Sequence, residues 1–277
     1  MAKLEPYKGG YYLWKYVPSL AAAIIFIILF TCTTAFHFFK LWKNRARFCI
    51  PFAIGGIFEI IGYIARAFSH NNTASIMPFA IQNVFILLGP VLFAASVYMT
   101  LGRIISAIGA KQNSLIPIRW LTKTFVAGDI LSFVVQGGAA GLMVTGSNAG
   151  IGQDIEIVGL LIQVVMFALF VVTALVFQIR TQRDSRFESG GGLMSWKRHL
   201  YLLYAVSLLI MIRSIFRVVE YGMGTDGYPL THEWTLYIFD SLLMWSVMVS
   251  WLIWYPGELS RPESSVELNS GTSCGEV

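Results

Sequence analysis

Apolar residues along this chain gather into seven long windows, at residues 17–39, 48–68, 77–104, 124–144, 155–179, 200–221 and 235–255, separated by short polar segments. A helix crosses the hydrocarbon of a bilayer with about 20 apolar residues, so each window predicts one transmembrane span. The expected fold class is an all-α integral membrane protein, a seven-helix bundle. Residues 1–16 form an amino-terminal tail, residues 17–255 the transmembrane domain, and residues 256–277, rich in Ser, Glu and Gly, a disordered tail.

Composition agrees with the pattern. Hydrophobic residues make up 56% of the chain and charged residues 13%, against roughly 25% charged in ordinary globular proteins. The longest connections, residues 103–123 and 180–199, are too short to bury an independent core. The first window is a full span long and lacks a small-residue cleavage site, so it is expected to stay in the mature protein. Cys32, Cys49 and Cys274 are not placed for an extracellular disulfide.

Charge sets the expected sidedness. Lys40, Lys43, Arg45 and Arg47 follow the first window, Arg103, Lys111, Arg119 and Lys123 the third, and Arg180, Arg183, Arg186, Lys197 and Arg198 the fifth, while the alternate connections carry no Lys or Arg. Basic loops stay cytosolic, which puts the amino terminus outside and the carboxyl terminus in the cytosol. The net charge of +5 is therefore a topology signal, and no nucleic-acid partner is expected. The sequon Asn71-Asn72-Thr73 falls on the outer side by the same reasoning.

Ionisable residues inside the windows carry the candidate chemistry, because a charge at mid-helix costs about 2.5 to 3.5 kcal/mol on the insertion scale and usually meets a partner or a cavity. Glu59, Tyr63 and Arg66 share one helix face, as do Arg213, Arg217 and Glu220. Asp129 with Gln136, and Glu233 with Asp240, repeat a seven-residue step, and Gln163 adds hydrogen-bonding capacity. Counted from the cytosolic ends of the second and sixth windows, Glu59 and Arg213 lie at similar heights, with Arg66 and Glu220 matched about 10 Å further out. Arg217 falls between them, near the height of Asp240. Equal depth predicts the pairs Glu59 with Arg213, Arg66 with Glu220 and Arg217 with Asp240. The four carboxylates outnumber the three guanidiniums, leaving a small acidic surplus able to accept a cation or a proton. Arg66, Arg217 and Glu220 also lie near enough to the interface to snorkel.

Other features read as architecture. The run "QGGAAGLM", with Gly137, Gly138 and Gly141 at small-xxx-small spacing, predicts close helix approach. Gly89-Pro90 predicts a kink in the third span. Tyr11, Tyr12, Trp14, Tyr16, Trp42, Trp196, Trp234, Trp251, Trp254 and Tyr255 fall at window ends and predict interfacial aromatic belts. No Walker-type loop appears, and two histidines near each face cannot converge on a zinc ion. No cofactor, metal or catalytic residue is expected. His232-Glu233 reads as a loop contact.

Several motifs occur in order across residues 16–255: "EIIGYIAR" from Glu59 to Arg66, "GPVLFAASVYMTLGR" from Gly89 to Arg103, D-x-x-S-x-x-x-Q-G-G from Asp129 to Gly138, G-x-x-x-Q from Gly159 to Gln163, R-x-x-F-R-x-x-E from Arg213 to Glu220, and H-E-W-x-x-Y-x-x-D from His232 to Asp240. Together they resemble the fungal lipid-translocating exporter family, the group that includes aminocholesterol-resistance and sphingoid long-chain-base exporter proteins. Gly89 stands where relatives often carry Ala. The resemblance implies a seven-span protein, usually of the plasma membrane, that moves amphipathic molecules or confers resistance to them. A related member is linked to porphyrin and haem traffic.

The resulting expectation is a translocator of sphingoid bases or similar amphiphiles, whose partners are membrane lipids. The groove is lined by the second, fourth, sixth and seventh spans, with Glu59, Tyr63, Arg66, Asp129, Gln136, Gln163, Arg213, Arg217, Glu220 and Asp240 as its binding residues. A porphyrin or haem transporter, a seven-helix receptor and, behind these, a membrane lipid hydrolase are the alternatives.

Overall fold

In a hydrocarbon solvent every backbone N–H and C=O must be satisfied within the segment, and the helix is the only single-segment solution. The computed structural model describes residue 6 and residues 13–145, 149–183, 193–224 and 227–256. Each apolar window lies within or nearly within one long helix: α1 Leu20–Asn44, α2 Ile50–Ser69, α3 Ile76–Ile108, α4 Ile118–Thr145, α5 Ala149–Arg183, α6 Leu193–Gly222 and α7 Glu233–Ile253. No strand occurs among the described residues. Six of these helices are long and apolar enough to cross a membrane, which makes this a multi-pass membrane protein. α4, whose run is interrupted by Asp129, Ser132, Gln136 and the Gly137-Gly138 pair, is not among the six. Tyr11, Tyr12, Arg186 and the expected tail from residue 257 onward lie outside the described residues, as does the side chain of Trp196.

Local chemistry sets the helix ends. Ser19 caps α1 by accepting the Ala22 N–H, and Pro51 occupies the first turn of α2, where a missing N–H costs nothing. Gly109 closes α3 at φ 72°, a left-handed conformation that glycine adopts without strain. α1 ends instead on Arg45 at φ 48°.

Helices adjacent in sequence pack against one another, α7 returns to both α6 and α1, and α3 runs through the interior against α2, α4 and α6. The α2–α3 seam is the tightest. A Cβ at Gly55 would come within 2.9 Å of the Gly89 carbonyl oxygen and 2.8 Å of the Phe93 ring, and one at Gly62 would strike Ile86. The outer faces are apolar: Val158, Leu161, Val165, Leu169 and Val172 of α5 are exposed along one stripe, as are Ile130, Leu131 and Val134 of α4.

Two expectations fail on packing. Gly137, Gly138 and Gly141 approach no neighbour, since a Cβ on any of them would meet nothing within 4 Å. Their spacing marks one face of α4, but α5 packs elsewhere, seating Gly159 on Gln136 and Met166 over Gly128. The aromatic belt is also only partial. Trp42, Trp234 and Trp254 are exposed, whereas Trp14 is buried edge-on to Phe79, and Trp251 is wholly buried in a stack on Phe52.

The contrast between the two glycine sets is measurable. Gly55→Ala is expected to cost about 1 to 3 kcal/mol by overpacking, while Gly137→Ala costs nothing and gains up to about 1 kcal/mol in helix propensity. Thermal unfolding of the purified variants in detergent checks both; equal melting temperatures for the two would show that the α2–α3 seam is not close-packed.

Candidate functional site

The site begins with a missing backbone hydrogen bond. Pro90 lies inside α3 and has no N–H, so the carbonyl of Ile86, four residues earlier, loses its helical donor. Arg213 on α6 supplies the replacement: its Nη2 donates to the Ile86 oxygen at 3.2 Å. The same guanidinium donates through Nε to the carboxylate of Asp240 on α7. One turn along α6, Arg217 donates from Nη2 to the other Asp240 oxygen at 2.5 Å and from Nη1 to Glu220 at 2.9 Å. All four side chains are buried. Two guanidiniums thus face two carboxylates, and Asp240 bridges both arginines.

Asp240 lies in a π-helical stretch, Tyr237–Leu242, inside α7. Such wide turns re-aim side chains and recur at functional sites. Ser241, the next residue, reaches the Leu236 carbonyl oxygen five residues back at 3.4 Å and shares a hydrogen bond with the Tyr63 hydroxyl of α2.

Glu59 stands beside this network without joining it. It is 1% exposed, it forms no ion pair among the described residues, and its Oε1 has no hydrogen-bond partner. Arg213 and Arg217 act on its charge, but neither donates to it: they bond Ile86, Asp240 and Glu220, and the buried Arg217 Nε has no partner. Glu59 fits because residue 89 is glycine: a Cβ there would lie 2.7 Å from Oε1 and 3.2 Å from Cγ of Glu59. The Gly89-Pro90 pair therefore has two effects. Glycine makes room for an acid, and proline exposes the carbonyl that holds an arginine.

A second cluster surrounds Arg66, which is wholly buried. Its Nη2 bonds Glu233 at 2.7 Å and the Tyr16 hydroxyl at 3.1 Å, and its Nε bonds the Tyr237 hydroxyl at 3.0 Å. The rings of Trp14, Tyr16 and Tyr237 lie within 5.2 to 5.6 Å of the guanidinium carbon, within the range of cation–π attraction. Glu233 also accepts the Ser19 backbone N–H with both oxygens, at 2.8 and 3.0 Å. This one carboxylate ties the start of α1 to the ends of α2 and α7. Trp14 and Tyr16, expected to be belt residues, instead enclose an internal cation.

The third set is separate. Asp129 on α4 accepts from the Tyr98 hydroxyl of α3 at 2.9 Å, Ser132 donates to the Gly159 carbonyl of α5 at 2.6 Å, and Gln136 bonds Ser132 at 2.7 Å and Gln163 at 3.4 Å. Asp129, Gln136 and Gln163 find these partners on α3, α4 and α5, so they do not share the groove expected for them with Glu59 and Asp240.

Of the ten expected residues, Glu59, Arg213, Arg217, Glu220 and Asp240 come together, Tyr63 joins them through Ser241, and Arg66 forms its own cluster. The Arg217–Asp240 pair is as expected from depth. Arg66 pairs with Glu233 and not Glu220; Arg213 pairs with Asp240 and not Glu59. Two acids were missed. Glu233 carries the seven-residue step to Asp240 but was read as a loop contact. Glu156 on α5 is 2% exposed with an unpartnered Oε2, and its seven-residue step to Gln163 is the signal that marks it. It lines a cavity of about 40 Å³ with Gln82, Asn83, Ile86, Leu87, Arg217 and Tyr221, room for a water molecule or a small polar group.

Comparison with known proteins places the chain in a family. A family model described as "RTA1 like protein" matches residues 52–263. Three proteins of Saccharomyces cerevisiae are similar along most of the chain. Protein RTA1 is 33% identical over 90% of this chain and 86% of its own length. Protoporphyrin uptake protein 1 is 32% identical over 88% and 92%. The sphingoid long-chain base transporter RSB1 is 28% identical over 87% and 72%. No solved structure matches.

If Arg213 serves the carbonyl that Pro90 frees, the two positions are energetically coupled. In a double-mutant cycle, Pro90→Ala restores an N–H for Ile86, so Arg213→Gln is expected to cost less in that background than in the wild type. The difference should be about 0.6 kcal/mol, the usual scale for hydrogen bonds between membrane helices. Additive losses in unfolding free energy would refute the coupling.

Proposed function

This chain belongs to the RTA1-like family, and we propose from that premise that it is a seven-span carrier of amphipathic lipids. Its preferred cargo has a cationic head, as a sphingoid base does, and its place is the plasma membrane. The observation that carries this reading is the buried charge cluster of α2, α6 and α7, in which Glu59 is an acceptor with no partner of its own. An ammonium headgroup supplies the missing donor and charge. The names of RSB1 and protoporphyrin uptake protein 1 support movement of amphiphiles as the common activity.

The apolar exposed stripe of α4 supports counting it as the seventh span, with the amino terminus outside and the carboxyl terminus in the cytosol. In this reading Glu59 and Asp240 bind the headgroup, Arg213 and Arg217 hold Asp240 in place, Glu220 anchors Arg217, and Tyr63 orients the π-helical turn through Ser241. Arg66 fixes the outer ends of three helices. Asp129, Gln136 and Gln163 line the second polar layer between α3, α4 and α5. No residue acts as a catalyst.

One observation favours a second cargo. Arg217 Nε has no partner, and Arg217 lines the cavity beside Glu156. A free guanidinium donor suits a carboxylate, such as those of a porphyrin.

Two measurements test the proposal. In proteoliposomes carrying a fluorescent sphingoid base, Glu59→Gln and Asp240→Asn are expected to slow translocation by about tenfold or more, the loss of one good polar contact. If both variants fold, insert and transport at the wild-type rate, the headgroup assignment is wrong. For sidedness, Cys32, Cys49 and Cys274 are replaced and a single cysteine is placed at Asn72 or Lys111, both exposed. A membrane-impermeant maleimide applied to intact cells should label the first and spare the second. The reverse pattern would invert the topology.

A further inference from the structure

The cluster holds one more acid than its arginines can balance. Arg213 and Arg217 contribute two positive charges, and Asp240 and Glu220 return two negative ones through direct ion pairs. Glu59 is a third acid in the same buried neighbourhood. The charged and titratable groups facing it are Asp240 from α7, Arg213 and Arg217 from α6, and Tyr63 from α2 itself; from α3 it meets Gly89. Both arginines already serve Asp240, and the Tyr63 hydroxyl is engaged with Ser241.

In hydrocarbon, a carboxylate with no counter-charge is strongly disfavoured, so Glu59 requires one added positive charge to be neutralised. A proton supplies it when the site is empty of ligand. A headgroup cation supplies it when the site is filled. Two such charges at once would leave the cluster net positive, and none would leave it net negative, so occupancy is exclusive.

We propose that Glu59 exchanges one proton for one ammonium group, so that movement of a cationic amphiphile in one direction is coupled to movement of a proton in the other. This inference rests on the cationic-headgroup reading given above and adds the driving force to it. The step balances: the protonated carboxyl and an R–NH3+ group become a carboxylate–ammonium pair plus one proton released to water. The ammonium keeps all its N–H bonds, and no oxidant or reductant takes part. Arg217 and Ile86, which belong to the cluster, also line the cavity of about 40 Å³, a water-sized space able to take the departing proton. Pro90 and the π-helical turn of α7 are the places where α3 and α7 depart from regular helical hydrogen bonding, and both border Glu59 or its network.

The test uses the full chain in phosphatidylcholine nanodiscs, weakly buffered, with sphingosine as the probe. Binding is followed by tryptophan fluorescence and proton release by a pH-indicator dye. Wild type is expected to release about one proton per bound amine. Its apparent affinity should strengthen with rising pH, by up to about tenfold per pH unit, because a rising pH removes the competing proton while the amine stays charged. Glu59→Gln should lose the protein-linked release, and Glu59→Asp should keep it. Size-exclusion elution and thermal unfolding establish that each variant is folded, and the wild-type stoichiometry and pH slope decide the matter if neither is. Binding by wild type with no proton release and no pH slope overturns the exchange but leaves the headgroup site standing. Release that persists in folded Glu59→Gln removes Glu59 from the role. Absence of sphingosine binding by wild type at every pH overturns the headgroup reading and the exchange together.

Discussion

A proline in the middle of a membrane helix leaves a carbonyl without a donor, and in this protein the guanidinium of Arg213 answers it at 3.2 Å. Much of the buried polar architecture follows from that contact. An arginine brought into hydrocarbon needs a counter-ion, and Asp240 provides it. A single aspartate has two oxygens, and its second one recruits Arg217, whose remaining charge is met by Glu220 three residues along the same helix. The network closes electrically among four residues on two helices, α6 and α7, and is anchored to a third, α3, by a backbone oxygen. Glu59 of α2 enters as a fifth member only because Gly89, immediately before the proline, has no side chain to exclude it.

The division between what the sequence discloses and what it withholds is physical. Helix positions were legible because apolar windows of about 20 residues have one interpretation in a bilayer. Membership of the Pro90 cluster was legible in part, for Glu59, Arg213, Arg217, Glu220 and Asp240, because each charged residue in such a window needs company; Asp129, Gln136 and Gln163 found theirs elsewhere. The pairings were not. Counting along a helix gives a residue's height but not its azimuth relative to a neighbour, and Glu59 and Arg213, matched in height by that count, do not pair: Arg213 bonds Asp240 and Glu59 Oε1 bonds nothing. Arg217 and Glu220 illustrate a simpler omission, since a pair three residues apart on one helix can satisfy itself. The π-helical turn at Tyr237–Leu242 shifts the register of α7 in a way that no periodicity announces. Glu233 escaped because it lies at the edge of its window, where acids are usually solvated; here Arg66 and the Ser19 amide claim it. The α4 glycines make the converse point: small residues permit a close approach without compelling one.

The three polar sets also differ in what they leave unused. Around Arg66, three hydroxyl or carboxylate contacts and three aromatic faces surround one cation, a saturated arrangement suited to holding α1, α2 and α7 together. The Asp129 set is a chain of hydroxyls and amides running from α3 through α4 to α5, with one carboxylate oxygen to spare. Only the Pro90 cluster combines an unpartnered acceptor, Glu59 Oε1, with an unpartnered donor, Arg217 Nε. Saturated networks fix structure, whereas networks with open valences can take a ligand.

Those open valences bear on selectivity. Glu59 lies against α3 at Gly89, and Arg217 borders the cavity that it shares with Glu156. In the proposed carrier, a headgroup with a cationic nitrogen would be met by Glu59 and one with an anionic oxygen by Arg217. A zwitterionic headgroup would have to reach both Glu59 and Arg217 Nε at once. On that proposal, discrimination among amphiphiles would rest on headgroup charge and reach more than on tail shape, because the exposed apolar faces of α4 and α5 present hydrocarbon to hydrocarbon and distinguish little.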